Sequence, residues 1–360
     1  MPACLNDYDF AAIAREIFSD ENKRNGRSMD DILRQVIVAW NGSDKLSGAI
    51  VKFPGAPDMY DHERCAYGAG PPEGFELILP TAHTLAKAAD GYIVPTSACF
   101  EPFAVPYCRE LYKKSGQELF AVGMQTRALC GQDSAPVALT NETLKLFLGN
   151  AVATYGANSV LYISFGSLFF PTTTPQLIDA LVNTLLNLAK PFPFVLALGG
   201  KMAALPKELI ERVNSSGKGL VCDFWVEQRA VLQHPAVGWF LTHGGFNSIS
   251  ESLAEGVPLI IWPVAAEQPV NAAFLSSGPD PVAFELLQIR TGPQLGPSLR
   301  GGPKITGTVE DAAAEFRATF EDARGAKGAI LCANAIKLAG ALRETAVGEA
   351  SEEIIRLAKF

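Results

Sequence analysis

The residues with most chemistry to offer lie in one stretch, FWVEQRAVLQHPAVGWFLTHGGFNSISESLAEGVPLIIWPVAAEQPVNAAFL, from Phe224 to Leu275. Ala236 to Leu241 is a short apolar run of strand type that stops at Thr242-His243-Gly244-Gly245, and Asn247-Ser248 then open a helical pattern. Adjacent glycines let a ligand approach the backbone, and Asn or Ser is a favoured N-cap. The exposed amides and positive dipole end of such a helix seat an anion, with phosphate the obvious guest. His243 adds a donor at the turn, and Glu251, one turn into the helix, can accept from a neighbouring hydroxyl. A second unit follows at once. Gly256 ends the helix, Val257 to Trp262 reads as a buried strand closed by Pro263, and Glu267-Gln268 place a carboxylate and an amide at the next helix start.

These groups need a frame. Two consecutive strand–turn–helix units in an open parallel sheet point both strand ends into one crevice, so the phosphate seat and the Glu-Gln pair would share a ligand. Taken singly, each residue also has an ordinary reading: a Trp before a loop packs, His-Gly-Gly is a turn, and Glu-Gln is a solvated helix start. The functional reading rests on all of them together at these spacings.

The stretch resembles the signature of the UDP-dependent family-1 glycosyltransferases, which begins Trp-Ala-Pro-Gln, passes through Thr-His-Cys-Gly-Trp-Asn-Ser and a later Glu, and ends Gly-Val-Pro, Trp-Pro, Asp-Gln. From Trp225 to Gln268 is 44 residues, the length the family uses. The resemblance implies that Trp225 stacks on uracil with Val226 beside it, that Gln228 and Glu251 hold the ribose hydroxyls, and that His243, Gly245, Asn247 and Ser248 hold the diphosphate. Glu267 and Gln268 would hold the hydroxyls of the donor sugar. Val226-Glu227 stand in place of Ala-Pro, Gly244 of Cys, Phe246 of Trp and Glu267 of Asp, the last moving the carboxylate by one methylene.

The bulk properties agree. With 360 residues, 48% hydrophobic and 19% charged, the chain can build about two globular domains. A formal net charge of −8 argues against nucleic-acid or anionic-membrane partners, so an anionic ligand must be held by local dipoles. The 7 cysteines are odd in number and lack any Cys-x-x-Cys pair, as reduced thiols of a cytoplasmic protein would. No apolar run is long enough to span a membrane, and MPACLNDYDF lacks the basic and apolar regions of a signal peptide.

Taken in order, FAAIAREIF and MDDILRQVIVAW read as helices, Ala49 to Phe53 as a strand broken at Pro54-Gly55-Ala56-Pro57, and the stretch to Gly74 as turns. Thr81 to Asp90 suits a helix, Gly91 to Pro95 a strand, Pro102 to Ser115 a helix and Glu118 to Gly123 a strand, which is the logic of a parallel βαβ unit. A connector falls at 124–158. Ser159 to Phe165 then makes a strand ending in Gly166-Ser167, similar to the Ser-Phe-Gly-Ser with which the family's C-terminal domain opens, so Ser167 joins the phosphate candidates. Strand and helix patterns alternate onward. Thr308 to Asp311 is a capping-box-like helix start, Gly328 to Arg343 is helical, and SEEIIRLAKF suits a short helix that in the family crosses back onto the N-terminal domain.

The resemblance implies a GT-B fold, α/β with two Rossmann-like domains of parallel sheet. Residues 1–150 would be a partial acceptor-side domain, 151–340 the UDP-sugar-binding domain and 341–360 the returning helix. The implied reaction is inverting transfer of a hexose, glucose by the resemblance, from UDP-sugar to a hydroxyl on a small apolar acceptor. No cofactor or metal is expected, since the UDP-sugar is itself a substrate. The family's catalytic base is a His near the start of the first domain, and no strand and His resembling it are found here, so no catalytic residue is assigned. Of the 4 histidines, His62 and His83 lie in a turn-rich segment and a helical pattern, and neither is a convincing replacement. A UDP-sugar-binding protein without turnover is therefore the alternative. A dinucleotide oxidoreductase is disfavoured because no Gly-x-Gly-x-x-Gly follows a strand: GAGPPEG at 68–74 has the wrong spacing.

Overall fold

The computed structural model describes residues 10–29, 31–32, 35, 46, 48–64, 82, 84–130, 137–167, 170–200 and 203–360. The N-terminal part opens with helices α1 (Phe10–Ser19) and α2 (Glu21–Arg24). A hairpin follows, β1 (Ile50–Val51) antiparallel to β2 (Met59–Tyr60), running into the single turn α3 (Asp61–Arg64). The expected strand at 49–53 is thus present but shorter. Its partner β2 lies inside the stretch read as turns, because two residues carry no periodicity. Next come β3 (Gly91–Val94), α4 (Ala104–Lys113) and β4 (Glu118–Ala121), with β3 and β4 parallel, as the βαβ reading requires.

After α5 (Arg127–Cys130), helix α6 (Glu142–Tyr155) starts on Asn141, whose side chain accepts from the Leu144 N–H. It leads into β5 (Val160–Ser164), α7 (Pro175–Leu186), β6 (Phe194–Ala197), α8 (Lys207–Ser215) and β7 (Gly219–Cys222). The chain continues through α9 (Gln228–Leu232), β8 (Val237–Thr242), α10 (Phe246–Ala254), β9 (Leu259–Ile261), α11 (Gln268–Ser276) and β10 (Ala283–Glu285). Three helices close it: α12 (Val309–Ala323), α13 (Ala326–Val347) and α14 (Glu349–Leu357). Thr308 caps α12 by accepting from the Asp311 N–H, a contact worth about 1 kcal/mol. α13 extends beyond the expected 328–343 at both ends.

Strands β5 to β10 form one six-stranded sheet in the order β10-β9-β8-β5-β6-β7, every neighbouring pair parallel. Successive residues of its strands feed opposite faces. Val160 and Tyr162 join Leu144, Val231, Leu253 and Ala335 in one core, while Leu161 and Ile163 join Leu181, Val213, Phe316 and Phe320 in the other. Burial on both faces explains why these strands read as unbroken apolar runs. The winding reverses between β5 and β8, and ligands in such sheets bind outside the carboxyl ends of the strands at that reversal.

Helix α14 lies against β4. Glu353 accepts from the Ala121 N–H at 3.2 Å, Arg356 donates to the Leu119 carbonyl and sits over the Phe120 ring at 4.1 Å, and Phe360 packs edge-on against Phe120. The C-terminal helix therefore packs against the β3–β4 sheet.

Candidate ligand site at the carboxyl ends of the sheet

Two turns flank the reversal. β5 ends in Gly166 and the exposed Ser167; β8 ends in Thr242, followed by His243, Gly244 and Gly245. Parallel pairing puts Ser164 beside Thr242, and Thr242 beside Ile261 of β9, so the loops carrying Ser167, His243 and Glu267 emerge along one rim.

His243 is packed between two glycines. A Cβ on Gly245 would stand 2.4 Å from its Nε2, and one on Gly166 would stand 2.8 Å from its Cε1. Only glycine leaves room for the ring at either position. Burial depresses the imidazole pKa to about 4, so at neutral pH His243 is uncharged and offers a phosphate a neutral N–H. The glycine turn itself is tied down by Asn271 of α11, whose Nδ2 donates to the Gly244 carbonyl at 3.0 Å.

One sequence expectation is corrected here. Neither Asn247 nor Ser248 is the N-cap of α10: the cap is Gly245, with no side-chain cap bond, and the helix begins at Phe246. The nearest favoured side chains do not take the cap, because the close packing of the turn around His243 places a glycine there. Asn247 is consequently free to face solvent in the first turn, while Ser248 is buried.

Gln228 and Glu251 come together across 23 residues of sequence. Gln228 Nε2 donates to Glu251 Oε2 at 2.7 Å and reaches Ser248 Oγ at 3.5 Å. Trp225 stands 72% exposed between Phe224 and Val226, both packed into the core, so its indole is a surface platform on a fixed loop. On the third loop Glu267 is half-buried and stands at the N-cap position of α11, with no side-chain cap bond. Gln268 is buried, and its side-chain oxygen accepts from the Val264 and Ala265 N–H groups at 2.8 and 2.7 Å. That oxygen is committed to shaping the loop, which also holds Ala266 at φ +54°. Gln268 therefore has only its amide N–H groups left for a sugar.

A cleft of about 210 Å³ opens between Pro95, Gln125 and Thr126 of the N-terminal part and Phe246, Asn247, Ser250 and Glu251 of α10. Pro95, Gln125 and Thr126 escaped sequence reading because nothing local marks them; they follow β3 and β4, whose carboxyl ends face α10. Another missed group is a buried charge cluster. Glu63 accepts from Tyr60 N–H, Ser298 Oγ and Leu299 N–H, Arg290 donates to Glu285 at 2.6 Å and to the Glu63 carbonyl at 3.1 Å, and Arg300 lies between both carboxylates. It fastens the β1–β2 segment to the loops after β10.

The remaining histidines have other tasks. His62 Nε2 meets the Pro297 carbonyl at 3.1 Å and its ring stacks on Tyr60, and His234 Nδ1 accepts from the Ala236 N–H. His83 lies outside the described residues. Among the described residues no cluster of metal-ligating side chains occurs, and no helix is long and apolar enough to cross a membrane.

A doubly wound sheet with a glycine turn, a carboxylate–amide pair and an exposed indole at its switch point is consistent with GT-B architecture. The comparisons with known proteins agree. Residues 138–290 match the family described as UDP-glucoronosyl and UDP-glucosyl transferase. The chain is 32% identical over 332 residues to UDP-glycosyltransferase eriJ of Hericium erinaceus, covering 88% of this chain and 63% of that protein. It is 41% identical over 128 residues to UDP-glycosyltransferase 85A8 of Stevia rebaudiana, covering 35% of this chain and 26% of that protein. Its fold matches Phytolacca americana UGT2 complexed with UDP-2fluoro-glucose and pterostilbene (TM-score 0.60, 24% identity, 87% of this chain and 63% of that one). It also matches TcCGT1 in complex with UDP (TM-score 0.61, 20% identity, 91% of this chain and 69% of that one). The chain is thus similar to the UDP-glucoronosyl and UDP-glucosyl transferases over residues 138–290, and it spans somewhat under two thirds of the length of its eriJ relative.

Proposed function

We propose that this chain binds a UDP-hexose, with glucose as the sugar, along the rim formed by the ends of β5, β8 and β9. It would serve transfer of the hexose to a hydroxyl of a small apolar acceptor in the cytoplasm. Trp225 stacks on uracil with Val226 beside it, Gln228 and Glu251 hold the ribose, and Ser167, His243, Gly245, Asn247 and Ser248 hold the diphosphate. Glu267 and the Gln268 amide hold the sugar. The observation that carries this reading is the convergence of these residues on one switch point, with Gln228 already bonded to Glu251 at 2.7 Å. In the transfer, the acceptor oxygen bonds to the anomeric carbon from the face opposite the leaving group. The bond from that carbon to the β-phosphate oxygen breaks, UDP leaves, and the acceptor proton passes to a base.

The described histidines support binding without turnover as a second reading. His62 is engaged at Pro297, His234 caps a backbone N–H, and His243 is neutral within the diphosphate seat. None of the three is placed as a base. The test measures UDP and UDP-glucose binding by calorimetry for the wild type and Trp225→Ala, then searches for glycoside by mass spectrometry after incubation with phenols and sterols. Stacking is worth roughly 1–3 kcal/mol, so Trp225→Ala should weaken UDP by about 5- to 150-fold. Unchanged affinity rejects the site, and robust turnover by the chain alone rejects the second reading.

A further inference from the structure

Residues 137–140, which lead into α6, run antiparallel along α9. At the far end of that helix the Val137 N–H donates to Gln233 Oε1 at 3.0 Å, and at its start Thr140 Oγ1 donates to Glu227 Oε1 at 2.9 Å. Leu139, buried between them, packs in the same core as Ala230, Val231 and Leu232. The lengths agree: the helical rise from 227 to 233 is about 9 Å, and three extended residues span about 10 Å. On its other side α9 is bonded to α10, through Gln228 to Glu251 and through Arg229 and Gln233 to Glu255 at 3.1 and 2.9 Å. A helix of 5 residues has little stability of its own, so these two flanks fix its position. Trp225 stands two residues before Glu227.

We propose that residues 137–141 are a positioning strap for the nucleotide platform, with Thr140 acting through Glu227 to set the angle at which the Trp225 indole meets the base. This rests on the UDP reading above. Glu227 is the joint. Its φ of −71° is one that a proline ring would impose, and among the described residues its N–H makes no backbone bond. Proline at 227 can therefore hold the loop without the strap, whereas Glu227 needs Thr140.

The test uses the purified chain, with uridine and UDP affinities from calorimetry and the uridine-induced quenching of tryptophan fluorescence that disappears in Trp225→Ala. Thr140→Val should weaken uridine and UDP alike by about threefold, the effect of one partly solvated hydrogen bond. It should shrink the Trp225 quenching and move the melting temperature by less than about 2 °C. Thr140→Ser and the double variant Thr140→Val/Glu227→Pro should both recover wild-type affinity and quenching. The strap is overturned if Thr140→Val keeps wild-type affinity and quenching, or if Glu227→Pro fails to restore them, while Trp225→Ala still weakens uridine. If Trp225→Ala leaves uridine affinity intact, the nucleotide reading falls and takes the strap with it.

Discussion

Substituting Gly245 by alanine isolates the role of the His243 ring. Gly245 has φ −68°, a value any residue adopts, so Gly245→Ala introduces no backbone strain. Its new methyl would stand 2.4 Å from His243 Nε2, where ordinary contact begins at 3.4 Å, so ring and methyl must separate by about 1 Å. Overpacking of this kind costs about 1–3 kcal/mol of stability. On the proposed reading, the displaced imidazole would no longer point its N–H at the diphosphate. A hydrogen bond to a charged group is worth roughly 1.5–3 kcal/mol, so UDP should bind about ten- to a hundredfold more weakly. Uridine, which lacks phosphates, should be unaffected. Chemical denaturation and calorimetry of Gly245→Ala, His243→Ala and the double variant form a cycle. Once the ring is gone the methyl has space, so the double variant should be no less stable than His243→Ala. Additive losses, or equal weakening of uridine and UDP, would refute the packing of His243 as the basis of the anion seat.

Three further outcomes are expected. Because His243 titrates near 4 when folded and near its ordinary 6.5 when unfolded, it contributes stability above pH 6.5 that is lost as pH falls through 4. The stability difference between wild type and His243→Ala, followed by denaturant midpoints, should therefore grow by about 3 kcal/mol between pH 4 and 6.5, and a constant difference would contradict a buried neutral ring. Glu315 of α12 accepts from the Leu287 and Gln288 N–H groups, both at 2.8 Å, and burial raises its pKa to about 7, which has the opposite sign: stability falls as pH rises from the ordinary 4.5 through 7, and Glu315→Gln should remove that fall. Glu267→Ala should cost UDP-glucose roughly tenfold in a competition assay while leaving UDP nearly untouched, and parallel losses would leave Glu267 only supporting the loop before α11.

Much of the candidate site's geometry is legible in the chain because the residues that build it are local. The turn His243-Gly244-Gly245, the platform at Trp225 and the helix start at Glu267 each sit in consecutive residues, and the apolar runs beside them are strands whose direction of travel is set by the helices between. The six-stranded parallel sheet was legible for the same reason: residues buried on both faces leave unbroken apolar runs, as in Val160–Ser164 and Val237–Thr242. Tertiary structure alone decided the rest. It turned the Gln268 oxygen inward to the 264–265 backbone, gave the cap of α10 to Gly245 and placed Gln125 and Thr126 opposite Glu251. It also assembled Glu63 with Arg290 and Arg300 from segments more than two hundred residues apart. Lone polar residues carry no periodicity and no spacing rule. Their partners are chosen by where the sheet and its loops bring them, which is a property of packing and not of sequence order.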